Sequence, residues 1–266
     1  MGIPIYQVDA FTAKVFGGNP ACVVFLERAA EAEWMQAVAA EMNLSETAFL
    51  HAAGDGWNLR WFTPAIEVKL CGHATLASAH ALWESGRLKA DQAAVFHTLS
   101  GQLTCVRRGE WIEMDFPAHR SREAKAPAAL AAALGAEPRA VFLVAGATGG
   151  TWFAELDNEE MVRNLAVDFR ALLDVPPGLA IVTARATTSG YDFVSRFFAP
   201  AGGINEDPVT GSAHCSLGPY WGAKLGKQEM VGLQVSKRGG VVRVKLAGDR
   251  VKLSGQAVTV FRGELV

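Results

Sequence analysis

The sequence predicts an α+β fold of two similar halves, each mostly sheet with one long apolar helix. Three observations predict it. A short pattern occurs twice: Arg60-Trp61-Phe62-Thr63-Pro64 leads to Glu67 and Gly72, and Arg196-Phe197-Phe198-Ala199-Pro200 leads to Glu206 and Gly211. In each copy the glutamate stands five residues before the glycine, and an alanine (Ala74, Ala213) follows two after it. Each copy then enters an apolar segment, with Leu76, Leu82 and Trp83 in one and Cys215, Leu217 and Trp221 in the other. Alternating apolar runs bounded by glycine turns fill most of the remaining chain.

In chain order, residues 3–9 alternate as a strand through Ile3, Ile5 and Val8. Residues 11–20 read as a loop, because Gly17-Gly18-Asn19-Pro20 is turn chemistry. Residues 21–26 form a short apolar strand. Residues 30–42 have helical spacing through Trp34, Met35, Val38 and Met42, and Asn43 ends the helix. Residues 44–50 return to strand. Stretches 58–64 and 66–70 are strand-like, 72–85 is helix, and 94–99, 102–107 and 111–116 are hairpin strands. The charged stretch 117–127, bracketed by Pro117 and Pro127, is the expected linker. The expected lobes are residues 1–117 and 118–256.

The second half follows similar punctuation. Residues 128–134 form a helix closed by Gly135. Strands 139–144 and 151–156 flank an expected glycine turn at 146–150. Residues 158–173 read as helix, and 178–184 and 191–198 as strands. The helix at 211–225 contains Gly218-Pro219, which should bend it. Strands at 228–236, 241–246, 251–253 and 257–261 close the chain. Both long helices are apolar enough to lie inside the curve of a sheet.

Composition narrows the function classes. Half of the 266 residues are hydrophobic, which permits a sizeable core. The formal net charge is -2, and Lys and Arg are scattered, so no nucleic-acid partner and no anionic membrane surface is expected. No apolar run is long enough to span a bilayer, and the first residues show no leader pattern. The four cysteines show no CxxC spacing, which points to a reducing compartment, the cytoplasm.

The candidate chemistry gathers at the two glycine turns. A helix start leaves backbone N–H groups unpaired and carries partial positive charge. Gly72 and Gly211 would let a carboxylate approach that backbone in a cleft between the halves. The plainer reading makes them strand-to-helix turns. His73 and Ser212 each follow their glycine and could donate to an oxyanion, and His73 could also carry a proton. Asp207 could bind a substrate amine or share a proton, or simply stabilise its turn. Cys71 and Thr210 each precede their glycine. A thiol at a helix start is expected to ionise more easily and could act as a base, whereas the plainer reading is a small buried residue. Glu46 shares a strand face with Leu44, Ala48 and Leu50. Burial disfavours an ionised carboxyl, which suits proton transfer near neutral pH. The competing reading is an edge strand with Glu46 in water. A metal constellation of His73, His214, Asp207 and Glu46 lacks HxxxH or CxxC spacing. Nucleotide phosphate loops are absent.

Asp9-Ala-Phe-Thr12, Gly18-Asn-Pro-Ala21, Asn43-Leu-Ser-Glu-Thr-Ala-Phe49, Arg60-Trp-Phe-Thr-Pro64, Cys71-Gly-His-Ala-Thr-Leu-Ala77 and Glu206-Asp-Pro-Val-Thr-Gly-Ser-Ala-His214 occur in this order. Together they resemble the phenazine-biosynthesis-like (PhzF-like) isomerase family, related to diaminopimelate epimerase and proline racemase. The resemblance implies two pseudo-symmetric domains, each a curved, mostly antiparallel sheet around a central helix. It implies a site between them without cofactor or metal, and a homodimer. In such relatives the last strand, here 257–266, crosses back to complete the first lobe. The acid/base glutamate of the phenazine enzyme matches Glu46, and its other site residues match His73, Asp207 and Ser212. The two-thiol pair of diaminopimelate epimerase matches Cys71 and Thr210, so only one thiol is kept. The phenazine enzyme continues Gly-His-Pro where this chain has Gly72-His73-Ala74.

The resulting expectation is a cofactor-independent isomerase that moves a proton between carbons of a small carboxylic acid. Glu46, His73 and Asp207 would be catalytic, and Gly72, Gly211, Ser212, Cys71 and Thr210 would bind substrate. The alternatives are an amino-acid epimerase or racemase using Cys71, and a non-catalytic binding protein for small acids.

Overall fold

A computed structural model describes residues 2–145 and 150–266 of this α+β chain. Contacts group it into two units, Met1–Asp115 with Ser254–Val266, and Phe116–Leu253. The expected turn at 146–150 lies mostly outside the described residues.

The first unit opens with β1 (Ile3–Ala10) and β2 (Asn19–Phe25), an antiparallel pair. Helix α1 (Ala32–Met42) crosses over to β3 (Glu46–Ala53), which lies parallel to β2 and antiparallel to β4 (Gly56–Phe62). Asn43 caps α1 with φ 50°, the left-handed conformation that asparagine tolerates. After the short β5 (Glu67–Val68), helix α2 (Gly72–Glu84) crosses to β6 (Ala94–Thr98), parallel to β4. β7 (Gly101–Arg108) and β8 (Trp111–Pro117) extend the sheet by hairpins.

In the second unit, β9 (Ser121–Glu123) precedes α3 (Ala128–Leu134). β10 (Ala140–Val144) and β11 (Thr151–Glu155) form an antiparallel pair. The short helices α4 (Glu159–Arg163) and α5 (Phe169–Leu173) cross over to β12 (Ala180–Arg185), parallel to β11 and antiparallel to β13 (Phe193–Ala199). After β14 (Ile204–Asp207), helix α6 (Gly211–Leu225) crosses to β15 (Glu229–Gln234), parallel to β13, and β16 (Gly240–Ala247) pairs with β15. β17 (Arg250–Gly255) leads into β18 (Ala257–Leu265), which returns to pair along the length of β1 in the first unit.

The two units repeat one succession of pairings: antiparallel, parallel crossover, antiparallel, short antiparallel return, then a second parallel crossover through the long helix. The sequence repeat has a concrete cause in this topology. Phe62 stands opposite Glu67, and Phe198 opposite Glu206. Arg60 and Arg196, each two residues earlier, reach the matching glutamate through paired hydrogen bonds of 2.7 and 2.8 Å in one unit and 2.7 and 2.9 Å in the other. Each guanidinium also lies over the phenylalanine ring two residues on. The repeated Arg, Phe and Glu therefore pin the hairpin that feeds each long helix.

Two expectations are corrected. The linker at 117–127 contains β9, which pairs with β10. The helix at 158–173 breaks into α4 and α5, because the Asp168 carboxylate accepts from Arg170 and Ala171 N–H and restarts the turn. Beyond these, the assigned helix α6 continues through Pro219, where a bend or a displaced middle was expected. Proline lacks the N–H that would bond the Cys215 carbonyl, and His119 N–H supplies the missing donor at 3.0 Å. At Gly218 a Cβ would stand 2.6 Å from Val244 Cγ1, so glycine is what lets α6 lie close on β16.

Helix α2 buries ten of its thirteen residues, and α6 buries nine of fifteen. Thr75 and Ser78 go inside because their hydroxyls donate to the Cys71 and Ala74 carbonyls. A second layer in the first unit packs Met35 and Ala39 of α1 against Cys22, Val24, Phe49 and Phe62. Strand β3 is therefore covered on both faces, with Phe49 toward α1 and Ala48 and Leu50 on the other face.

Candidate active site

Within the first unit, three elements bring their ends together. Asn19 begins β2, Glu46 begins β3, and Cys71 and His73 start α2. β2 and β3 are parallel neighbours, with Glu46 beside Ala21, so both strand starts lie at the same end of the sheet. His73 is the hub. Its Nε2 lies 3.1 Å from Glu46 Oε2. Its Nδ1 lies 3.1 Å from Asn19 Nδ2 and 3.5 Å from Cys71 Sγ. The Ser45 hydroxyl donates to Asn19 Oδ1 at 3.3 Å. Because Ser45 adjoins Glu46, the network closes on itself.

Strand β3 is paired on both sides, by β2 and β4, so Glu46 is not on an edge strand. Its side chain is 18% exposed and that of His73 is 7% exposed. Glu46 Oε2 and His73 Nε2 stand at ion-pair distance without hydrogen-bond alignment, and both atoms are buried with no other partner among the described residues. A buried polar pair with unspent hydrogen-bonding capacity is costly unless it has a task.

Burial works against a charged His73, but the neighbouring Cys71 sulfur and Glu46 carboxylate raise its pKa well above the ordinary histidine value. We assign the effect to Glu46, because burial, and then the Glu46 charge, push the Cys71 thiol up and leave little thiolate at neutral pH. Of the two readings of Cys71, the small buried residue is the one that fits: desolvation exceeds what the helix end and His73 supply.

The second unit builds its turn differently. Thr210 caps α6, and its hydroxyl donates to Asp207 Oδ2 at 2.5 Å. Fully buried Gln234, at the end of β15, accepts from Thr210 N–H at 2.9 Å and donates to the Asp207 carbonyl at 2.8 Å and to Thr210 Oγ1 at 3.2 Å. Gly211 is buried and Ser212 is exposed. His214 donates from Nδ1 to the Thr210 carbonyl at 2.8 Å, and burial pushes its pKa down to about 4. It is a neutral structural histidine at physiological pH.

The metal constellation weighed from sequence draws two of its members, His214 and Asp207, from the second unit. His214 and Asp207 are both engaged with Thr210. Glu46, Cys71 and His73 do offer oxygen, sulfur and nitrogen within 4.8 Å of one another. Sequence reading missed Asn19, Ser45 and Gln234 as site-building groups. Asn19 was hidden in turn chemistry, and Gln234 is a lone amide ending an apolar strand, which carries no local signal.

The family model described as phenazine biosynthesis-like protein, PhzC-PhzF, matches residues 8–263. An uncharacterized isomerase of Halalkalibacterium halodurans is 52% identical, with 100% of this chain and 99% of the relative covered. A PhzF family protein of Enterococcus faecalis has a crystal structure with TM-score 0.94 and 40% identity, and each chain is covered completely. A predicted epimerase of Pseudomonas aeruginosa shares the fold, with TM-score 0.74, 24% identity and 99% of each chain covered. No helix among the described residues is long and apolar enough to cross a membrane. Matched along nearly its whole length, this chain belongs to the phenazine biosynthesis-like (PhzC-PhzF) family and is an isomerase.

Proposed function

We propose that the protein moves a proton between carbons of a small carboxylic acid, without a cofactor, using Glu46 as the general acid and base. The observation that carries this reading is the facing pair of Glu46 Oε2 and His73 Nε2, buried and 3.1 Å apart without aligned partners. Glu46 takes a proton from a carbon activated by the substrate carboxylate or a conjugated alkene. The electron pair moves onto the carboxylate as enolate-like charge, and the protonated Glu46 returns the proton to another carbon of the same molecule. Nothing is oxidised or reduced, so the reaction needs no electron carrier. His73 Nε2–H and the N–H of Gly72 answer the developing charge.

From the second unit, the motif supports Asp207 as the group that orients a substrate amine or hydroxyl. It also supports Gly211, Thr210 and Ser212 as carboxylate-binding groups. The raised Cys71 thiol weighs against an epimerase that uses it as a base. Four buried free cysteines support a cytoplasmic setting. The family resemblance supports a homodimer, which sedimentation would test.

Glu46→Gln tests the reading. The variant should lose deuterium exchange into a true substrate while ligand binding stays measurable. Exchange that persists in this variant removes Glu46 from the role, and binding without any exchange in the unaltered protein favours the binding-protein alternative.

A further inference from the structure

We infer that Asn19 is a positioning residue that keeps the proton of neutral His73 on Nε2, facing Glu46. The inference concerns His73 itself, and its mechanistic meaning rests on the proposed role of Glu46. Asn19 is fully buried at the start of β2, and its amide nitrogen stands 3.1 Å from His73 Nδ1. A neutral imidazole has one donor and one acceptor nitrogen, and the partner of one nitrogen decides the role of the other. An amide N–H at Nδ1 makes that nitrogen the acceptor, so the proton sits on Nε2. The amide could in principle turn over and present its oxygen. Ser45 is coupled to that orientation, because its hydroxyl donates to Asn19 Oδ1 at 3.3 Å and would have to rotate and accept if the amide turned.

The consequence is that His73 presents a donor to Glu46 in both of its protonation states. The neutral ring carries its proton on Nε2, and the cation, with hydrogen on both nitrogens, keeps Nε2–H while Asn19 must turn its oxygen toward Nδ1. His73 then never competes with Glu46 as a base on the substrate side, and a single carboxylate makes both proton transfers. One base acting twice moves a proton within one molecule, whereas two opposed bases invert a centre.

The test is nitrogen-15 NMR of His73 in the full-length protein, without substrate, across its titration. The expected result is an Nε2–H tautomer once the ring is neutral. Asn19→Asp places an acceptor at Nδ1, so it should move the neutral proton to Nδ1 and raise the His73 titration by about one pH unit or more. Ser45→Ala removes only the hydroxyl that orients the amide, and it should give a mixture of tautomers while the thermal melt stays cooperative. It serves as the readout if the buried carboxylate of Asn19→Asp prevents folding. An Nδ1–H tautomer in the unaltered protein overturns the inference. So does an unchanged tautomer and titration in Asn19→Asp, or in Ser45→Ala where only that variant folds. Because these signals need no substrate, they stand or fall separately from the Glu46→Gln exchange experiment.

Discussion

His73 Nε2 approaches Glu46 Oε2 to 3.1 Å although the two residues start a helix and a strand 27 positions apart in the chain. The pair is desolvated, and each atom keeps hydrogen-bonding capacity that no other group among the described residues uses. Replacing His73 by Phe keeps the ring volume and removes the donor. Turnover should fall about 100- to 1,000-fold, the span of a lost donor to developing negative charge. Single-turnover kinetics with ligand binding measured in parallel would check this.

Cys71 separates the isomerase from the racemase alternative. Burial and the Glu46 charge hold the thiol protonated, so it is a poor base at neutral pH. Cys71→Ser should reduce exchange at carbon by no more than about tenfold, whereas loss of a true catalytic base costs about 100-fold or more. Proton exchange and stereocentre inversion followed on the same sample would tell the two apart.

His214 makes the fold acid-sensitive. Its pKa falls from 6.5 to about 4 in the folded chain, because burial disfavours the imidazolium. Below pH 6.5 the unfolded chain takes up a proton that the folded chain refuses until about pH 4, so stability falls as pH drops through that window. The loss is about 3 kcal/mol. His80 and His119 are also lowered by burial and add slope of the same sign. The contribution of His214 is therefore the flattening seen in His214→Leu, read from urea unfolding at a series of pH values.

Glu159 adds a second acid limb. Burial opposes its charge, but the Thr188 hydroxyl and N–H, the Thr187 N–H and Arg163 outweigh burial and hold the carboxyl far below the ordinary 4.5. Its stabilising effect is fully present above the unfolded value and is lost as pH falls below it. The carboxylate ties α4 to the Thr187-Thr188 loop. Glu159→Gln should cost about 1–3 kcal/mol at neutral pH and remove part of the acid limb, measured by thermal melts at neutral and acid pH.

Gln234 carries the turn before α6. Gln234→Ala leaves the Thr210 N–H without its acceptor and removes two further bonds around Asp207 and Thr210. A stability loss of about 1–3 kcal/mol is expected. Faster hydrogen exchange should be confined to residues 207–212. A uniform rise across the second unit would mean that the amide only fills space.

The elements that depend on near neighbours were legible in the chain. Trp34, Met35, Val38 and Met42 marked α1 by spacing, and Asn43 marked its end. The doubled Arg60–Glu67 and Arg196–Glu206 pattern announced the repeat because both partners lie on one hairpin. The break between α4 and α5 was missed because Asp168 as a cap competes with an otherwise continuous helical pattern. The partner of the Cys215 carbonyl beside Pro219 was not legible, because the His119 N–H lies about a hundred residues away in the chain.

The sequence by itself determined the two-part α+β plan, the paired glycine turns and the residue types around them, since these follow from periodicity and turn chemistry within a few residues. Tertiary structure alone decided that Glu46 meets His73, that Asn19 and Ser45 hold the far side of the ring, and that Gln234 supports the Asp207–Thr210 turn. It also decided between the two readings of Cys71, since burial outweighs the helix start there. The physical reason is common to all of these. Strand register and helix packing set both the distance between remote side chains and the water left around them, and neither quantity is encoded in local spacing.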